Sequence, residues 1–273
     1  MGSTTISFTK MEGLGNDYIY IDETRFPIDN PGELAIRLSD RHRGIGGDGI
    51  ILIGPSNVAD FRMRMFNADG SEGLMCGNGA RCVGKYLYDK HLTRRTDISL
   101  ETLSGIRKLK LHLGQDGQVQ TVTVEMGSYS LSGAPHTLYA CGRDFSGTGI
   151  LIGNPHYVIF TDDAESLDLT LYGPAIENDP AFPNRTNVEF AKVLSDGTIR
   201  MRVWERGSGI TLACGTGACA TAAAAVELGL AKDSCKVVMD GGILAIDCDL
   251  VERKVVMTGP AVTVFEGSID LSR

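Results

Sequence analysis

The sequence carries one tryptophan in 273 residues, so it offers no aromatic platform on which bases could stack. It lacks a basic excess. Lysines and arginines number 26 against 34 aspartates and glutamates, a net charge of −8, and the sequence pI is near 5.2. That balance argues against nucleic acid or an anionic membrane surface as the main partner. No apolar run approaches the ~18 residues that suggest a membrane span. The N-terminal segment lacks the basic stretch and apolar stretch of a signal peptide. A CxxC redox motif is missing, and no histidine cluster accompanies the cysteines. Seven cysteines without an export signal are therefore expected as reduced thiols in a cytoplasmic protein.

Glycine, by contrast, is abundant, at 34 residues against a usual ~7%. Such a count points to tight turns or to backbone lying close to a ligand. The sequence also repeats itself. Cys76 opens CGNGARC and Cys214 opens CGTGACA, 138 residues further on. At the same offset Gly15-Asn16 matches Gly153-Asn154, Gly49 to Leu52 aligns with Asn187 to Phe190, and Phe66-Asn67 aligns with Trp204-Glu205. Several short matches in one register imply two homologous halves, expected as domains over residues 1–126 and 127–264. The stretch from Met126 to Gly149 is the expected crossing between them.

Alternating apolar runs predict strands at Tyr18 to Asp22, Ile50 to Ile53, Phe61 to Phe66, Ile98 to Leu103, Arg107 to Leu113 and Gln120 to Met126. The second half predicts strands at Tyr157 to Thr161, Val188 to Val193, Ile199 to Trp204, Lys236 to Met239, Ile243 to Cys248 and Val255 to Thr258. Asp-Gly turns between them favour hairpins, hence an α+β class. One helix is expected after Gly79 and another after Gly217. The second is alanine-rich with few polar positions, so it reads as central and buried. Gly-Ile-Gly-Gly-Asp-Gly at 44–49 precedes a strand instead of opening a helix, which excludes a dinucleotide fingerprint.

A thiol at a helix N-terminus feels unpaired N–H groups and the positive end of the helix dipole. Both favour the thiolate, below the ordinary thiol pKa of about 8.5, and the same N–H groups suit a carboxylate. Two such loops, Cys76 and Cys214, offer a sulfur on each side of one bound acid if the halves face each other. Inverting a stereocentre needs a base on one face of a carbon and an acid on the other, and a thiolate–thiol pair supplies both. The helix N–H groups would stabilise charge that builds on the carboxylate. This scheme requires neither metal nor pyridoxal. One Cys in a glycine turn is more often a small core residue; two at the repeat register reverse that reading. Cys82, Cys219, Cys141, Cys235 and Cys248 carry no such motif and read as structural. The spacings Cys76-x5-Cys82 and Cys214-x4-Cys219 exceed the usual zinc-ligand spacing.

The sequence resembles the diaminopimelate epimerase family through GLGNDY at 13–18, RHRGIGGDG at 41–49, FNADGSEGLMCGNGARC at 66–82, GNPH at 153–156, RTNVEF at 185–190 and ERGSGITLACGTGACA at 205–220. The resemblance spans nearly the whole chain. It implies two pseudo-symmetric, strand-rich α/β domains, each with a central helix, the last strand (265–273) returning to the first domain. It implies pyridoxal-independent interconversion of L,L- and meso-diaminopimelate, in lysine and peptidoglycan precursor synthesis, and is compatible with a homodimer.

Position by position, Cys76 and Cys214 resemble the catalytic acid/base pair. Gly77-Asn78 and Gly215-Thr216 resemble the backbone donors to the reacting carboxylate. Asn16, Asn67, Asn154, Asn187 and Arg206 resemble the polar set around the substrate, with Glu205 an acidic partner on the reacting side. His156 with Glu205 is expected to tune the thiols. Arg206 suits a second, distal carboxylate. Asp17, Asp48 and Arg185 read as turn or ion-pair residues. Some family members carry Gln where Gly49 stands, which implies a side-chain contact to substrate lost here. The rival readings are another cofactor-independent amino-acid racemase, acting on a substrate such as histidine, and a thiol redox or metal-binding protein.

Overall fold

The computed structural model describes residues 5–133 and 136–271. The chain divides into two units, one reaching to Val124 and resuming at Gly259, the other spanning Glu125–Thr258.

In the first unit β1 (Thr5–Gly13) and β2 (Asn16–Asp22) form a hairpin. Its turn is Leu14-Gly15, and both residues have positive φ, as a hairpin turn that follows strand twist requires. Helix α1 (Pro31–Ser39) then carries the chain to β3 (Gly49–Gly54), which lies parallel to β2. Asn30 caps α1 and Pro31 occupies its first turn, where a missing N–H costs nothing. β3 is buried at every residue, as expected for a strand covered on both faces. Leu34, Ala35 and Leu38 of α1 pack on Ile19, Ile21, Ile50 and Leu52. β4 (Phe61–Asn67) and the short β5 (Glu72–Gly73) follow, then α2 (Gly77–Asp89), β6 (Asp97–Thr102), β7 (Gly105–Leu113) and the first part of β8 (Val119–Ser128). A Cβ on Gly84 would meet Leu111 at 2.8 Å, so this glycine lets α2 settle close to its sheet.

The second unit holds β9 (Ser130–Leu131), β10 (His136–Ala140), β11 (Arg143–Ile152), β12 (Asn154–Phe160), α3 (Leu169–Glu177), β13 (Asn187–Val193), β14 (Ile199–Glu205), β15 (Gly209–Ile210), α4 (Gly215–Glu227), β16 (Ser234–Met239), β17 (Gly242–Asp249) and most of β18 (Lys254–Pro260). The closing strand β19 (Val262–Asp270) belongs to the first unit and pairs antiparallel with β1. α4 is fully buried along Ala218–Ala220 and Ala222–Ala225. β11 to β14, β16 and β17 pack against it. Alanine serves twice here: it favours the helix, and its small side chain lets strands approach from many directions.

The two units share one order of elements. α1 begins at Pro31 and α3 at Leu169; α2 spans Gly77–Asp89 and α4 Gly215–Glu227. Both pairs are offset by 138 residues. Ladder registers follow the same offset: Tyr18 faces Gly49 as His156 faces Asn187, and Phe66 faces Glu72 as Trp204 faces Ile210.

Two expectations change. The glycines of each Cys-Gly-x-Gly run do not precede a helix; they form its first turn, with the cysteine as N-cap. The chain passes between the units at Val124–Glu125, inside β8, and not within the Met126–Gly149 stretch, where β10 and β11 pair around a Cys141-Gly142 turn with both φ positive. Positions 134–135 of that stretch, and 272–273 of the returning segment, lie outside the described residues. α1, α3 and β1 have no counterpart in the strand and helix pattern read above.

Enclosure of α4 is testable by overpacking. Ala223→Leu is expected to lower unfolding stability in urea by about 1–3 kcal/mol, although leucine is an adequate helix former. Unchanged stability would contradict an enclosed helix.

Candidate active site

Each unit presents a cysteine sulfur at the start of its buried helix. Cys76 has extended backbone, and its Sγ accepts the Gly79 N–H at 3.3 Å. Cys214 repeats the geometry, accepting the Gly217 N–H at 3.3 Å. N-caps are usually Ser, Thr, Asp or Asn. A sulfur there satisfies one otherwise orphaned helix donor and is held beside the remaining first-turn N–H groups.

Around Cys76, Asn16 is held by a chain of side chains. The Cys76 thiol donates to Asn16 Oδ1 at 3.2 Å, and Asn16 Nδ2 donates to Asp48 at 2.7 Å. Arg41 bridges Asp48 and Asp17, and Lys10 pairs with Asp17 at 2.6 Å. Burial pushes Asp17 up, but hydrogen bonds from Arg41 and Lys10, with their charges, outweigh it and hold the carboxyl below its usual range. Asp48 thereby fixes which end of the Asn16 amide faces the sulfur. Asn78 is buried, and its Oδ1 has no hydrogen-bond partner among the described residues. Asn67 donates to Ser71 at 3.0 Å.

Around Cys214 the surroundings differ. Thr216 Oγ1 lies 3.5 Å from the sulfur. His156 and Glu189 form a fully buried pair, Nδ1 to Oε1 at 2.6 Å, and His156 Nε2 meets Asn154 Oδ1 at 3.0 Å. Asn187 accepts the Arg206 N–H at 2.8 Å and donates to the Pro155 carbonyl at 2.9 Å. The Arg206 guanidinium donates to the Asn184 carbonyl, and Glu205 accepts from Thr211. The structure thus joins Asn16 with Cys76, Asn154 with His156, and Asn187 with Arg206. Gly77, Asn78, Gly215 and Thr216 stand in the first turns of α2 and α4.

The expectation of a lowered thiol pKa does not hold for Cys214. Burial pushes it well above the ordinary thiol range, and the charges of Glu205 and Glu189 push it further, against the smaller pull of Thr216 and the Gly217 N–H. Burial also lifts Cys82 to about 11, Cys235 to about 11 and Cys248 to about 12, which fits thiols that serve as packing.

Glu189 escapes a residue-by-residue reading. Its signal is a carboxylate inside the otherwise apolar NVEFA strand, which is buried from Asn187 to Ala191. Asp48, read as an ion-pair residue, is one, and it also orients Asn16.

A model of the family described as diaminopimelate epimerase matches residues 8–132 and 148–264. The chain belongs to the diaminopimelate epimerase family. A diaminopimelate epimerase from Phocaeicola vulgatus is 54% identical over 98% of this chain and all of its own. One from Methanococcus maripaludis is 46% identical over 97% of this chain and all of its own. Among solved structures, a phenazine biosynthesis protein of the PhzF family from Bacillus anthracis shares the fold, with a TM-score of 0.76, 16% identity, and coverage of 97% of this chain and 99% of that one.

Gly49 sits in a crowded place. A Cβ at Gly49 would lie 2.0 Å from the Phe66 carbonyl oxygen and 2.8 Å from the Tyr18 ring. In this backbone a side chain at position 49 needs the neighbouring strand to shift. Gly49→Gln is expected to cost about 1–3 kcal/mol or more in denaturant unfolding and to gain no substrate affinity. Wild-type stability in that variant would contradict the close approach.

Proposed function

We propose that this protein is a cofactor-independent diaminopimelate epimerase that inverts one Cα by a thiolate–thiol pair, Cys76 and Cys214. Membership of the family, with a 54% identical relative along its whole length, carries the reading. Matching sulfur caps on α2 and α4 support it.

In this reading, one sulfur enters as thiolate and takes the Cα proton, breaking the C–H bond. The other, as thiol, delivers its proton to the opposite face, forming the new C–H bond. The two sulfurs end with protonation states exchanged, and the reverse reaction uses them in swapped roles. The electron pair left by the proton spreads onto the reacting carboxylate. N–H groups of Gly77-Asn78 and Gly215-Thr216 would hold that carboxylate, strengthening as its charge grows. Asn16, Asn67, Asn154, Asn187 and Arg206 would hold the rest of the substrate, and His156 and Glu205 would set the thiol charge. The unpartnered Asn78 Oδ1 supports a ligand near α2. Seven free cysteines support a reducing cytoplasm, with a role in lysine and peptidoglycan precursor synthesis. Exposed Val262, Val264 and Phe265 on β19 support a homodimer.

Solvent deuterium should enter Cα of diaminopimelate, and both Cys76→Ala and Cys214→Ala should cut epimerisation by at least about 100-fold, the low end of acid–base contributions, with the fold intact by circular dichroism. Turnover of histidine without turnover of diaminopimelate would favour the racemase rival instead.

A further inference from the structure

The equivalent positions under the two sulfurs hold different chemistry. A Cβ on Gly217 would stand 2.8 Å from Glu189 Oε1 and 3.2 Å from Cys214 Sγ, so carboxylate and sulfur lie within about 6 Å of each other. Gly79 is the matching glycine of α2, and there a Cβ would stand 2.7 Å from Ile51 Cδ1. Ile51 and Glu189 are separated by the repeat offset. Unit one thus lays a methyl group where unit two lays a carboxylate. His156, in turn, replaces Tyr18 in the parallel ladder. Glu189 Oε2 is buried without a hydrogen-bond partner among the described residues. A fully buried carboxylate is costly, and nothing about strand packing asks for one where isoleucine serves in the other unit.

We infer that Glu189 is a positioning residue: held by His156, its carboxylate makes the two sulfurs unequal, and Cys214 is the one that keeps its proton in the free enzyme. The inference rests on the two-thiol reading above. It deepens that reading by saying which thiol starts as acid. Titratable groups facing Cys214 are Glu189 on β13 and Glu205 on β14, with His156 of β12 bound to Glu189. β11, β16 and β17 also pack on α4. Among the described residues, the buried titratable side chains on those strands are Cys235 and Cys248. Glu205 therefore shares in raising Cys214, and Glu189 is the contribution whose repeat-equivalent position in the first unit, Ile51, carries no charge.

The test labels each cysteine with iodoacetamide across pH in the full-length protein and reads every site by mass spectrometry. In wild type the Cys214 midpoint should lie above that of Cys76. Glu189→Gln keeps the side chain's shape and an acceptor for His156 but removes the charge. It should lower the Cys214 midpoint by about one pH unit, a tenfold gain in labelling rate below it, and leave the Cys76 midpoint in place. Movement of both midpoints together, movement of neither, or a wild-type Cys214 midpoint at or below that of Cys76 would overturn the inference. The wild-type comparison stands even if the variant fails to fold. Because labelling is read without turnover, failure of the two-thiol reading would show separately, as undiminished epimerisation in the alanine variants.

Discussion

A sulfur atom accepting the N–H of a buried helix's first turn is the contact on which the rest depends. Oxygen caps are commoner because oxygen is the better acceptor. A sulfur in that place gives up some capping strength and gains a group able to take and return a proton near carbon. The glycines that follow each cysteine fit the same end: a Cβ on Gly79 or Gly217 would stand under 3 Å from the tip of Ile51 or Glu189, which would have to move aside. Helix, strand floor and sulfur are thus packed as one piece in each unit. Substrate charge would then meet dipoles already in place, the arrangement that lowers reorganisation cost in a transition state.

Duplication explains why this piece occurs twice, and divergence explains why the copies differ. The helices α1 and α3, and α2 and α4, keep equal lengths and a constant offset. Side chains beneath them have drifted. Asn16 leans on an acidic residue tied to Arg41, whose other partner Asp17 is shared with Lys10, whereas Asn154 leans on a buried imidazole–carboxylate pair. Inversion by two thiols, as proposed, uses two proton carriers, but it does not need them to be identical. Under that proposal, inequality between them would set which epimer meets a ready base first.

Much of this was legible in the residues. The repeat, the main strands and the two helices at the cysteines all follow from periodicity and from glycine placement, because those signals are local. The hidden parts have physical reasons. α1 and α3 are nine residues each, short enough for a strand-rich pattern to mask them. The β10–β11 hairpin turns on Cys-Gly instead of Asn-Gly, so its turn signal is weak. Glu189 looks like one polar letter in an apolar strand, and only the packing of that strand under α4 reveals its neighbour. The crowding of Gly49 against the Phe66 carbonyl across the ladder cannot be seen in one dimension. The direction of the Cys214 shift is hidden for the same reason: the helix terminus is visible in sequence, but the two carboxylates and the burial that outweigh it are not.

The most direct measurement of the central claim is stereochemical analysis of the first turnover in heavy water. Two sulfurs acting from opposite faces predict that inverted product carries solvent deuterium at the reacting Cα while the remaining substrate still carries protium. Inverted product that retains the substrate's own hydrogen in the first turnover would mean one group handled both faces, and the account of a paired acid and base would be wrong.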